Sequence, residues 1–186
     1  MTAMGKLIVM AGPSAVGKGT LATFIVDNFP GFSLSVSATT RSPRKGEVDG
    51  VSYYFLSEDE FKQRVDSGLM LEWATVHGAN FYGTLREPVE IALSQGLNVI
   101  LEIDVQGAFQ VKESFPKAKL VFVNPPSFEE LRARLDKRGT ESEADKQIRL
   151  ETAKSELARA GEFDFSVIND EVARCAQEVV ELIQSA

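Results

Sequence analysis

Residues 6–20 read KLIVMAGPSAVGKGT. An apolar run, residues 6–11, passes directly into a glycine-rich segment, which opens a helical pattern over residues 18–28. A buried strand feeding a glycine loop at a helix start is the context a phosphate-binding loop requires. Glycine lets the backbone wrap so that its N–H groups point at an anion, and the helix N-terminus adds partial positive charge. Gly12, Pro13, Ser14, Ala15, Val16, Gly17, Lys18, Gly19 and Thr20 therefore form the candidate nucleotide loop, with Lys18 placed to reach the β- and γ-phosphates. The usual pattern puts Ser or Thr directly after the lysine, where its hydroxyl meets Mg²⁺. Here that position is Gly19 and Thr20 comes one residue late, so Thr20 is expected to serve through a phosphate oxygen or water.

Outward from the loop, residues 98–103 (NVILEI) and 119–123 (KLVFV) read as further buried parallel strands, and 165–168 as a last one. Helical patterns cover 107–114, 128–137, 143–159 and 171–184. This βαβ rhythm is an α/β fold with a parallel core sheet. Two stretches break it. Residues 35–86 combine serine alternation, a Pro/Gly-rich turn region and clustered tyrosines, which reads as a small antiparallel insert with one helix at 58–66. Residues 136–145 (DKRGTESEAD) read as an exposed mobile loop between two helices. The expected organisation is one domain: a core of 1–34, 87–135 and 150–186, an insert at 35–86 and a lid at 136–149.

At 186 residues the chain suits one well-buried core. Its net charge of −7 argues against a broad nucleic-acid or membrane surface, since both partners are anionic. The single cysteine, Cys175, cannot form an intramolecular disulfide, and a reducing cytosol is the expected location. The apolar run 7–11 is too short for a signal segment, and no stretch approaches a membrane span.

The loop GPSAVGKGT resembles that of the guanylate kinase family, and SVSATTRSPRKGEVDGVSYYF, residues 35–55, resembles the family's GMP-binding signature closely. EWA (72–74), NFYGT (80–84), ILEIDVQGA (100–108) and KRGTESE (137–143) follow in the family's order, so the resemblance spans essentially the whole chain. It implies a P-loop NTPase fold with a GMP-binding insert and a mobile lid, and transfer of the γ-phosphoryl group of MgATP to GMP. It assigns Arg41, Arg44, Tyr53 and Tyr82 to the GMP phosphate, with Arg41 also catalytic. Arginine forks suit a phosphate dianion, because guanidinium meets it in a bidentate way. Glu72 resembles the family's guanine reader, with Ser37 and Thr84 as further base contacts. One carboxylate can accept from both the N1–H and 2-amino donors of guanine. Residues 78–80 carry one more residue than the commoner GNYYG pattern, and Phe81 stands for a usual Tyr.

Glu102, at a place often held by Asp, and Asp104 close the second core strand, where ligands sit in open α/β sheets. One is expected to face a metal's water shell, the other the acceptor or the fold. No side chain is assigned as a direct metal ligand. Arg138 and Arg149 align with the family's lid arginines, catalytic groups that stabilise charge while closure excludes water. Arg132 and Arg134 could serve ATP or a solvated face, and Asn169 is either an adenine-side residue or a helix N-cap. His77 is given no chemistry. Rival readings are a P-loop kinase for another phosphate acceptor and a non-catalytic, phosphopeptide-binding relative. Whether the chain works as a monomer or a homo-oligomer is open.

Overall fold

A computed structural model describes residues 4–76, 80–138 and 143–185, with Arg138 as backbone only. Its centre is a five-stranded, fully parallel sheet in the order β2-β7-β1-β8-β9. The strands are β1 (Leu7–Ala11), β2 (Phe32–Leu34), β7 (Asn98–Glu102), β8 (Lys119–Asn124) and β9 (Phe165–Ile168). Strand alternation divides the core between two faces. Ile8, Met10, Ile100, Val121 and Val123 point to the side covered by α1 (Lys18–Asn28) and α7 (Val172–Ser185). Leu7, Val9, Ala11, Leu101, Leu120 and Phe122 point to the other, under α3 (Arg86–Ser94) and α4 (Val105–Ser114). The inner strands β1, β7 and β8 are buried on both faces and so carry near-continuous apolar runs. Helix α7 buries one stripe, Cys175, Ala176, Val179, Val180 and Ile183, at helical spacing.

The insert forms a separate four-stranded sheet, β4-β3-β6-β5, from β3 (Ala38–Thr39), β4 (Tyr54–Phe55), β5 (Met70–Val76) and β6 (Asn80–Leu85). It is mixed rather than wholly antiparallel, because β3 and β4 run parallel while β6 is antiparallel to both β3 and β5. The connection between β3 and β4 is the long arginine-bearing turn, long enough to bring the chain back in the same direction. Helix α2 (Glu58–Asp66) has the expected bounds and carries a capping box between Ser57 and Glu60. It closes a small core of Ala38, Phe61, Met70 and Leu85.

The expected loop at 136–145 is largely helical. Helix α5 (Phe128–Arg138) runs into it and α6 (Glu143–Leu157) starts within it. Lys146 bridges the two helices, 3.2 Å from Asp136 and 2.8 Å from Glu143. Residues 139–142 lie outside the described residues, as do His77 and the additional residue in 78–80.

Candidate active site

The phosphate loop leaves β1 in a conformation that few residues accept. Gly12 has φ 148° and Gly17 φ 95°, and a Cβ on Gly12 would fall 2.4 Å from the Val123 carbonyl oxygen. Ala15, at φ 65°, is the non-glycine residue held in the left-handed region. Lys18 lies back across the loop, its Nζ donating to the carbonyls of Gly12 at 2.7 Å and Pro13 at 3.0 Å. Arg149, from α6, donates through Nη1 to Ser14 Oγ at 2.8 Å. Helix α6 and the phosphate loop therefore touch.

Behind the loop a second clamp fixes its shape. Asn169 Nδ2 and Arg134 Nη1 both donate to the Val16 carbonyl, at 2.9 and 3.2 Å, and Arg134 Nη2 reaches the Asn169 carbonyl. Asn169 is thus no helix N-cap, since α7 begins only at Val172. It is 3% exposed, and its Oδ1 has no partner. Arg134 braces the loop rather than lying on a solvated face, whereas Arg132 is exposed.

A cavity of about 390 Å³ opens over the loop, walled by Gly12, Ser14, Lys18, Arg149, Glu102 and Asp104 among others. A second, of about 250 Å³, is lined by Ser37, Tyr53, Glu72, Tyr82 and the same Glu102-Ile103-Asp104 segment. The two acids do not divide between opposite sides as expected. Strand β7 ends at Glu102, and Asp104 is already the N-cap of α4, its Oδ1 accepting from Gly107 N at 2.7 Å. Both acids line both cavities. They form the partition between the two cavities.

In the second cavity Glu72 is 8% exposed, and its Oε1 accepts from Thr84 Oγ1 at 2.7 Å. Burial, the largest influence, pushes its carboxyl up to about 7; the Thr84 hydrogen bond opposes this and Asp104 adds to it. The β5–β6 register pairs Glu72 with Thr84 and Ala74 with Tyr82, so both motif residues of β6 keep their places beside the carboxylate strand. At the cavity's outer side Arg41 is gripped in a bidentate pair by Glu47, at 2.9 and 3.0 Å, with Tyr53 stacked on its guanidinium 5.3 Å from the ring centroid. Glu47 also accepts from the Arg44 backbone N–H at 2.7 Å. Its carboxyl is held below the usual range, first by Arg41. The Arg44 side chain is exposed.

Three site features are absent from the sequence reading. Glu47 orients Arg41, and its three-residue spacing from Arg44 is the only local signal. Gly107 carries no side chain because a Cβ there would lie 3.2 Å from Glu72 Oε2. Glu156 lines the loop cavity from α6, two helical turns after Arg149. Burial raises its carboxyl, Lys18 lowers it and Asp104 raises it. The equal facing of positions seven apart on one helix would have revealed it.

A glycine phosphate loop at the end of β1, a helix touching it and a second cavity across a shared acidic wall are the features of a P-loop kinase. The sequence model of the guanylate kinase family matches residues 4–186. A guanylate kinase of Leifsonia xyli is 57% identical over 95% of this chain and 70% of its own length. One from Synechocystis is 50% identical over 96% and 93%. The crystal structure of guanylate kinase from Anaplasma phagocytophilum superposes with a TM-score of 0.74 at 31% identity, covering 99% of this chain and 87% of that one. A shikimate kinase from Bacteroides thetaiotaomicron, at 13% identity and TM-score 0.53, shares the fold alone. The chain belongs to the guanylate kinase family.

Proposed function

We propose the following assignment of roles for the reaction of this family, in which the chain transfers the γ-phosphoryl group of ATP to GMP and releases ADP and GDP. The observation that carries the assignment is the shared wall. Glu102, Ile103 and Asp104 border both the loop cavity and the cavity holding buried Glu72, so two nucleotides would meet end to end across them. The loop backbone and Lys18 hold the ATP phosphates, Asn169 and Arg134 keep the loop in shape, and Arg149 follows the phosphates from the lid. Lys18 leaves the Gly12 and Pro13 carbonyls for phosphate oxygens when ATP arrives. Arg138 joins from α5; its side chain lies outside the described residues. Arg41, Arg44, Tyr53 and Tyr82 hold the GMP phosphate, and Glu72, Ser37 and Thr84 read guanine.

Catalysis here is positioning and charge stabilisation, because the transferring group needs no strong base. The donor set fits a Mg²⁺ ion entering with ATP. Glu102 and Asp104 are exposed hard-oxygen ligands at the loop cavity, and such a cation takes one or two carboxylates with substrate phosphates. Among the described residues no cluster of three acids or histidines is arranged as a self-sufficient metal site. Glu102 and Asp104 would hold the ion there, and it would supply neutralisation of phosphate charge.

The boundaries proposed for core, insert and lid are those read from the sequence. Among the described residues no helix is long and apolar enough to cross a membrane. The net charge of −7 and the single cysteine support a cytoplasmic enzyme without nucleic-acid partners. An assay of ADP release with ATP and each of GMP, AMP, UMP and CMP tests the proposal. Turnover with GMP alone is expected, and equal turnover with AMP would defeat it.

A further inference from the structure

We propose that Glu102 and Gly19 are a matched pair, in which the Glu102 carboxylate takes the place of the loop hydroxyl and holds the divalent cation of the nucleotide directly. The inference rests on the ATP-site reading and deepens it. In the general loop pattern the residue after the lysine presents a hydroxyl to the cation. Here residue 19 has no side chain at all. A Cβ built on Gly19 would lie 3.1 Å from Glu102 Oε2 and 3.5 Å from Oε1, with nothing of the backbone as near. Both carboxylate oxygens thus stand within 3.5 Å of where a side chain at position 19 would begin. A residue with a Cβ would have to push them away.

The other oxygen donors are differently placed. Thr20 is exposed and does not line the loop cavity. Asp104 commits Oδ1 to the α4 cap. The Glu102 carboxylate makes no hydrogen bond or ion pair with any described residue, borders the loop cavity and extends from the end of β7, where the backbone is paired with Met10. Replacing a neutral hydroxyl by a carboxylate adds a full charge to the ligand set, which suits a hard divalent cation. Cation affinity in this chain should therefore depend on Glu102, and should depend on it less once a hydroxyl is restored.

The test is a double-mutant cycle read by Mn²⁺ electron paramagnetic resonance. Wild type, Glu102→Gln, Gly19→Ser and the double variant are titrated with Mn²⁺ in the presence of AMP-PNP, and AMP-PNP affinity without metal is measured by calorimetry. Glu102→Gln should lower Mn²⁺ affinity about tenfold or more while leaving metal-free AMP-PNP affinity unchanged or tighter. In the Gly19→Ser background the same change should cost markedly less. Unchanged Mn²⁺ affinity in Glu102→Gln, or an equal loss in both backgrounds, overturns the pairing. Failure of the wild-type chain to bind AMP-PNP with or without metal overturns the nucleotide site itself.

Discussion

The two ends of the cleft are built by opposite means for the roles proposed. At the phosphate end the binding groups are backbone N–H groups, a helix terminus and one lysine, all fixed by left-handed glycines and by the Asn169–Arg134 clamp on Val16. At the acceptor end the groups are side chains on a small, separately packed sheet, and the deciding one is a carboxylate kept nearly out of water. The first end can hold any triphosphate tail, because backbone does not discriminate among bases. On the proposed roles the second discriminates, because a buried acceptor left unmatched is costly. The proposed roles thus put generic chemistry on the parallel core and specificity on the insert.

Removing the lysine is the harshest way to break the comparison. Lys18→Ala should lower kcat by about 10³-fold, on the scale of losing a preorganised charge stabiliser, with an unaltered circular dichroism spectrum. Near-normal turnover in a folded Lys18→Ala protein would mean that the loop backbone alone suffices. At the other end, Glu72→Gln keeps shape but turns an N–H donor toward guanine's donors. GMP kcat/KM should fall by about 10²-fold or more while AMP loses little. A GMP-to-AMP ratio that does not shrink would remove Glu72 as the guanine reader. Smaller again, Arg41→Ala and Arg44→Ala should each raise KM for GMP about ten- to hundredfold and leave KM for ATP nearly unchanged. Equal losses for both substrates would show that the arginines do not belong to the acceptor end alone.

The same division governs what could be read from the residues. Core strands β1, β7 and β8 and helix α1 were legible because two-sided burial writes long apolar runs, bounded by glycine and helix starts, whereas the three-residue, half-exposed edge strand β2 was not read. Helix α2 was legible to the residue because its capping box is local. Strands β3 to β6 were not, since two-residue pairings and a seven-residue strand with Glu72 inside carry no clean alternation. Helix α3 follows β6 with no loop and has Pro88 in its first turn, which hides its start. The loop residues of the site were visible by pattern, but Glu47, Gly107 and Glu156 were not. Each acts on a partner that only the fold brings near: Glu47 on Arg41 across a turn, Gly107 by leaving room for Glu72, and Glu156 beside Lys18 from α6.

The smallest effect tests what the acceptor end costs the fold. The Glu72 carboxyl titrates at about 7 in the folded chain and near the ordinary 4.5 when unfolded. Its folded-state value is raised, so the folded state holds the proton more tightly. Stability therefore falls as pH rises from about 4.5 to about 7 and stays lower above that. The displacement corresponds to about 3 kcal/mol as an upper bound, set by moving a charge out of water against only the Thr84 hydrogen bond and beside Asp104. Glu72→Gln retains an acceptor for Thr84 and carries no charge. Its melting temperature should exceed that of the wild type at pH 8, and the gap should close toward pH 4.5. Guanine binding should run the other way. Below pH 7 the protonated carboxyl offers a hydroxyl to guanine's donors, so KM for GMP should fall as pH rises through 7 in the wild type, by at most about tenfold per unit. KM for ATP, which meets backbone and lysine at the far end, should not follow this titration. Melting curves of both proteins from pH 4.5 to 8, beside KM profiles for the two substrates, decide the matter. A wild type whose stability gap to Glu72→Gln is independent of pH would show that the acceptor end keeps its carboxylate charged without cost, and the contrast between the two ends would lose its energetic basis.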